Sequence, residues 1–192
     1  EDNAIVTGLS SALCNRFAHF VLRVDARAWL DWAAGAGVEP AIRAYIARHG
    51  ESVLYENTGA DAFPTPRSWE MASRVYRRAP VELRRRAVAA CVGAVAAEKL
   101  HAFVKLCGAM DAEGIVRRGR GVDFIRKSGK EPSYVFAVVF SVASWLCAGA
   151  SQDDIAAANV SRFLHSPGLD PELVFMFLRQ VRELEELMNR LR

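Results

Sequence analysis

Two arginines stand where their chemistry is useful. Arg16 lies in Leu13-Cys-Asn-Arg-Phe17, just before an alternating apolar segment, where a cation at a loop tip can project across an interface. Arg67 falls in the first turn of a helix opened by Thr65 and Pro66. The positive end of a helix dipole makes a cation unfavourable there, and a bound anion resolves the conflict. A guanidinium suits that task because its donors form a fixed fork that matches phosphate or carboxylate. Taken alone, each arginine also reads as a solvated or salt-bridged surface residue, since the penalty is only roughly a few tenths of a kcal/mol.

Other catalytic templates fail. Gly129-Lys130 lacks the upstream glycine of a phosphate-cradling loop and is followed by glutamate. Phe20-Val-Leu-Arg-Val-Asp25 has the outline of an apolar strand ending in a magnesium-binding aspartate, but Arg23 interrupts it and no second acid follows. Glu98-x-x-His101 has metal-site spacing, yet a di-iron bundle needs two such pairs and two further carboxylates, so a surface or packed histidine is the expectation. His19, His49 and His165 have no nucleophile partner in sequence, and Cys14, Cys91, Cys107 and Cys147 make no metal-type spacing. These cysteines read as reduced, mostly buried thiols, and no metal site is expected.

The elements that position these residues come from a chain of 192 residues, 52% hydrophobic and 24% charged, which is material for one or two globular units. A net charge of +3 is too small for a protein built mainly to coat a polyanion, although 21 of the 25 cations are arginine. The sequence opens Glu-Asp-Asn without methionine or secretory segment, so a piece of a longer cytoplasmic protein is expected. Tyr134 to Ala150 carries no charge and approaches the length of a membrane span, but Ser141, Ser144 and its small residues favour a helix buried among helices.

The expected fold class is mainly α. Alternation over Phe17 to Val24 predicts one strand, an orphan whose sheet another part of the molecule must supply. Helices are expected after Asp25 as N-cap, from Pro40 to His49-Gly50, after Thr65-Pro66, over Val81 to Leu106 with a break at Gly93, over 132 to 149, over 151 to 165, and from Pro171 onward. Val53-Leu54-Tyr55 reads as a turn and 109 to 131 as the loosest stretch. Val174, Phe177, Val181, Leu184, Met188 and Leu191 form an a/d seam, read mainly as intramolecular core.

Asn15-Arg16-Phe17, the strand, the helix of Trp29-Leu-Asp-Trp-Ala33, Gly-Val-Glu-Pro40 and Ala62-Phe-Pro-Thr-Pro-Arg-Ser-Trp-Glu70 follow one another in an order that resembles the C-terminal part of MoxR-like AAA+ ATPases. The likeness continues through Gly93-Ala-Val-Ala-Ala-Glu98 and covers about residues 1 to 108. It implies a core remnant at 1–25, a helical lid at 26–108, and a basic loop with a helical extension at 109–192. It further implies that Arg16 is an arginine finger acting in trans on a neighbour's ATP, and that Arg67 is a sensor 2 residue contacting the γ-phosphate, helped by free N–H groups of its helix. Trp69 becomes lid core and Asn15 a turn residue positioning Arg16. In the intact protein the resemblance implies ATP and Mg2+, a homo-oligomeric ring of hexameric type, remodelling or metal-cofactor maturation of a client, and a von Willebrand factor A domain partner.

The family's phosphate loop, magnesium-binding acids and sensor asparagine would lie upstream of Glu1, so this chain alone is expected neither to hold ATP nor to hydrolyse it. Two other classes stay open: an all-helical protein-interaction module and a nucleic-acid-binding helical domain. Neither nucleic acid nor membrane is the expected partner: no aromatic platform interleaves Arg84-Arg-Arg86 or the 117–130 run beyond Phe124, and Tyr134 to Ala150 reads as a buried helix.

Overall fold

A computed structural model describes residues 10–121, 132–147 and 154–181. Two compact units divide the chain, Glu1–Glu98 and Lys99–Arg192. The described residues are mainly helical, in keeping with the expected class.

In the first unit α1 spans Ser11–Cys14, α2 Ala26–Gly35, α3 Pro40–His49, α4 Glu51–Leu54 and α5 Pro66–Arg78. A 3-10 turn at Val81–Leu83 leads into α6, Arg84–Val92, and α7, Ala94–Gly108, continues past the division. Local chemistry sets most of these boundaries. The Asp25 carboxylate accepts from the Ala28 N–H at 2.9 Å, Pro40 supplies a pre-set first residue, and the break at Gly93 uses a φ of 83°. A Cβ on Gly93 would lie 2.7 Å from the Ala62 carbonyl oxygen, so glycine is needed both for backbone and for space. Helix α3 packs on α2, and α5 packs extensively on α6. The core holds Trp29, Ile42, Tyr45, Ile46, Leu54, Trp69, Val88 and Val92.

The strand suggested over 17–24 is not formed. Residues 18–24 lie in no regular element, and Phe20, Val21 and Leu22 are 84%, 86% and 95% exposed. Alternation is necessary for a half-buried strand but insufficient, because a strand without a neighbour leaves its N–H and C=O groups to water. Val53 and Leu54 end a short helix rather than a turn.

The second unit contains α8, Ala112–Arg118, then α9, Pro132–Cys147, α10, Asp154–Leu164, and α11, Pro171–Val181. Helix α8 occupies part of the stretch expected to be loosest. Asp111 accepts from the Gly114 N–H at 2.8 Å and Gly119 takes the left-handed conformation, so both ends are capped. Helix α9 is buried along Val135 to Ala143 and packs on α8 and α11, the buried-helix reading of that uncharged segment. No helix among the described residues is long and apolar enough to cross a membrane. Phe177 and Val181 are buried, as an intramolecular seam requires; Leu184, Met188 and Leu191 lie outside the described residues.

Candidate functional site

Arg67 is the second residue of α5, behind Pro66. Thr65 Oγ1 accepts from the Ser68 N–H at 2.9 Å, Ser68 Oγ accepts from the Thr65 N–H at 2.7 Å, and the Trp69 N–H reaches the Thr65 carbonyl at 3.0 Å. This capping box differs from the supply of free N–H groups expected at this end. Proline has none and the box takes that of Ser68, which leaves the Arg67 amide in the first turn without a cap partner. The guanidinium of Arg67 is exposed and makes no ion pair or hydrogen bond to a described residue. Its arm and its own amide therefore offer one anion two points of contact.

The helix end is rigidly set from behind. Trp69, fully buried, donates its indole N–H to the Val53 carbonyl at 2.8 Å and meets the Tyr45 ring at 5.7 Å between centroids. This is the core position expected of it.

Arg16 follows α1 in a turn whose amides return to Leu13 and Cys14 carbonyls. Asn15 caps α1, in line with a turn role. His19 Nε2 lies 2.8 Å from the Cys14 carbonyl and closes the turn from its far side, a positioning contact the sequence did not announce. Arg16 is exposed and, like Arg67, has no hydrogen-bond or ion-pair partner among the described residues. The structure thus presents two free guanidinium groups on separate elements and brings neither to the other.

The remaining candidates are structural. Glu98 pairs with Arg85 at 2.7 Å and His101 is exposed. No group of three or more metal-ligating side chains occurs among the described residues. None of the four cysteines is in a disulfide, and only Cys107 is buried; Cys14 and Cys91 are half-buried and Cys147 is exposed, which corrects the mostly buried expectation. Burial pushes the Cys107 thiol up to about 12, so it is inert as a nucleophile.

Comparison with protein-family models, curated proteins and solved structures finds no match to this chain. An exposed guanidinium beside an uncapped helix-start amide is the kind of arrangement that suits an anion. Among the described residues neither arginine has a base or nucleophile hydrogen-bonded to it.

One further charged group was missed by sequence reasoning. Glu39 heads α3, its backbone N–H donating to Ser73 Oγ at 2.8 Å. Burial raises its carboxyl above the usual carboxylate range, although Arg77, Arg84 and Arg43 and the Ala41 amide pull it down. Just above the ordinary carboxylate range the folded chain holds a proton that the unfolded chain has released, so stability falls as pH rises through that window. Glu39→Gln is expected to raise the thermal midpoint at about pH 7 and to leave it nearly unchanged at about pH 3, where the glutamate is protonated in both folded and unfolded chains. Scanning calorimetry at the two pH values decides. A lower midpoint at neutral pH means that the arginines outweigh burial.

Proposed function

We propose that this chain is the C-terminal part of a MoxR-like AAA+ ATPase, with residues 26–108 as its helical lid and 109–192 as a helical extension. The observation that carries the reading is Arg67. A free guanidinium and an amide outside the cap stand together at the start of a helix held in place by a buried tryptophan. Arg67 contacts the γ-phosphate of ATP held by its own subunit. Arg16 reaches the ATP of a neighbouring subunit, where a cation arriving in trans stabilises the charge on the transferring phosphoryl group. The exposed apolar segment 17–24 pairs with the sheet of the nucleotide-binding core, which accounts for side chains that are otherwise left in water.

The intact protein works as a cytoplasmic ring that uses ATP and Mg2+ to remodel a client, with a von Willebrand factor A domain as partner. Arg67 and its amide fit one phosphate group, and the remaining contacts, those to the metal included, belong to the core. Titration calorimetry of the 192-residue chain with ATP and Mg2+ is expected to give no heat of binding. A dissociation constant of about 1 μM, worth about 8 kcal/mol, is more than two contacts to one phosphate provide and would overturn this reading.

A further inference from the structure

The second unit leaves a groove between α10 and α11. Helix α10 ends at Leu164, the chain reverses through Ser166 to Leu169 with Gly168 at a φ of 94°, and α11 starts at Pro171 behind the Asp170 cap. The two helices then rest on different partners, α10 chiefly on α8 and α11 chiefly on α9, so neither fills the angle at their shared turn. The space there holds about 500 Å3, within the usual range of small-molecule sites. Its walls are apolar. Leu164 and Leu169 form a buried floor, and Val174 and Leu178 line it half-buried from α11. Pro171, Phe175 and Leu178 follow one another at steps of four and three, which sets Phe175, 64% exposed, on the groove side of that helix.

The polar groups of this groove gather at its turn end. His165 Nδ1 lies 2.8 Å from the Ser161 carbonyl, and a carbonyl only accepts, so Nδ1 carries a proton and donates it. That fixes the tautomer and leaves Nε2 as the lone-pair nitrogen of the neutral ring, without a partner among the described residues. Ser161 adds a hydroxyl to the same rim, whereas Ser166 Oγ donates to the Arg162 carbonyl at 3.3 Å. Arg162 puts a cation in the last turn of α10. Asp170, the acid between Leu169 and Pro171, has its carboxylate on the Glu172 N–H at 2.8 Å and does not line the groove.

We propose that the groove binds a medium-chain alkyl carboxylate, with the carboxyl on His165 Nε2 and the chain lying along Val174 and Leu178. A carboxyl suits this nitrogen because imidazole and carboxyl share one proton in a charge-assisted bond, about twice as strong as the neutral bond an alcohol makes. From Pro171 to Leu178 the helix advances about 10 Å, the reach of an extended chain of about eight carbons. An alkyl chain in that place covers Leu178 and the exposed ring of Phe175, apolar surface that the unit itself leaves open. The inference is independent of the ATPase reading, since every lining residue belongs to the second unit and both Arg16 and Arg67 to the first.

Titration of the 192-residue chain with sodium octanoate, followed by amide NMR shifts, tests it. The amides of 161–169 and 172–178 are expected to shift saturably, with a dissociation constant of about 1 mM or below. Hexanoate, shorter by two methylenes, is expected to bind about tenfold more weakly. His165→Ala is expected to weaken octanoate about tenfold and octan-1-ol by less than about twofold, because only the acid loses a charge-assisted bond. Ser161→Phe fills the groove from its half-exposed wall and is expected to abolish binding of both; Ser161→Leu replaces it if circular dichroism shows a loss of helix. Shifts that fail to saturate by about 10 mM, or that spread over both units, overturn the proposal. So does hexanoate binding as tightly as octanoate, unchanged octanoate affinity in His165→Ala, or full binding to the filled groove.

Discussion

Trp69→Ala is expected to destabilise the first unit by about 3–5 kcal/mol, a large part of the stability of an ordinary domain. The indole is fully buried, and its neighbours come from separate elements: the Val53 carbonyl in α4 at 2.8 Å and the Tyr45 ring in α3 at 5.7 Å. Alanine removes the packing of two rings, leaves a cavity, and strands the Val53 carbonyl away from its donor. Trp69→Phe separates these effects. It keeps most of the apolar volume and loses the hydrogen bond, and it is expected to cost about 1–3 kcal/mol. Urea unfolding followed by circular dichroism measures both. A loss below about 1 kcal/mol for the alanine variant would remove Trp69 from the core that sets the start of α5, because losses that small are typical of surface positions.

What was legible beforehand was chemistry that acts within a few residues. Asp25, Pro40, Thr65-Pro66 and Gly93 each mark a helix boundary through a side-chain cap, a fixed φ or a positive φ, and each boundary stands where that residue places it. Helix α8 was hidden although Asp111 and Gly119 are ordinary cap residues, because the glycines and cations around them outweighed two local signals. The expected strand marks the other limit: alternation over 17–24 describes what the segment is suited to, and no strand forms among the described residues because pairing depends on a neighbour that the segment does not contain. At the site, the position of Arg67 and the Thr65 cap were readable, but the reciprocal bond from the Thr65 N–H to the Ser68 hydroxyl was not, since that position of a capping box ordinarily carries glutamate or glutamine. Glu39 was invisible because its partners, Ser73, Arg77 and Arg84, arrive from 34 or more residues away.

Arg16→Ala in the intact protein is expected to lower ATP turnover roughly a thousandfold or more and to leave ATP affinity nearly unchanged. The argument rests on where the group acts. A cation delivered by a neighbouring subunit meets charge that develops as the phosphoryl group transfers, so its removal is felt in the transition state far more than in the bound ground state. Arg67→Ala is expected to weaken both affinity and turnover, because that arginine holds the phosphate from within its own subunit before and during the reaction. Neither substitution is expected to move the unfolding midpoint, since both side chains are exposed and without hydrogen-bond or ion-pair partners among the described residues. That invariance gives the comparison its force, because a loss of turnover then reports on chemistry rather than on folding. Steady-state hydrolysis and nucleotide titration on the two variants separate the roles. Wild-type turnover in Arg16→Ala takes Arg16 out of the mechanism, and unchanged affinity in Arg67→Ala removes the phosphate contact on which the ATPase reading stands.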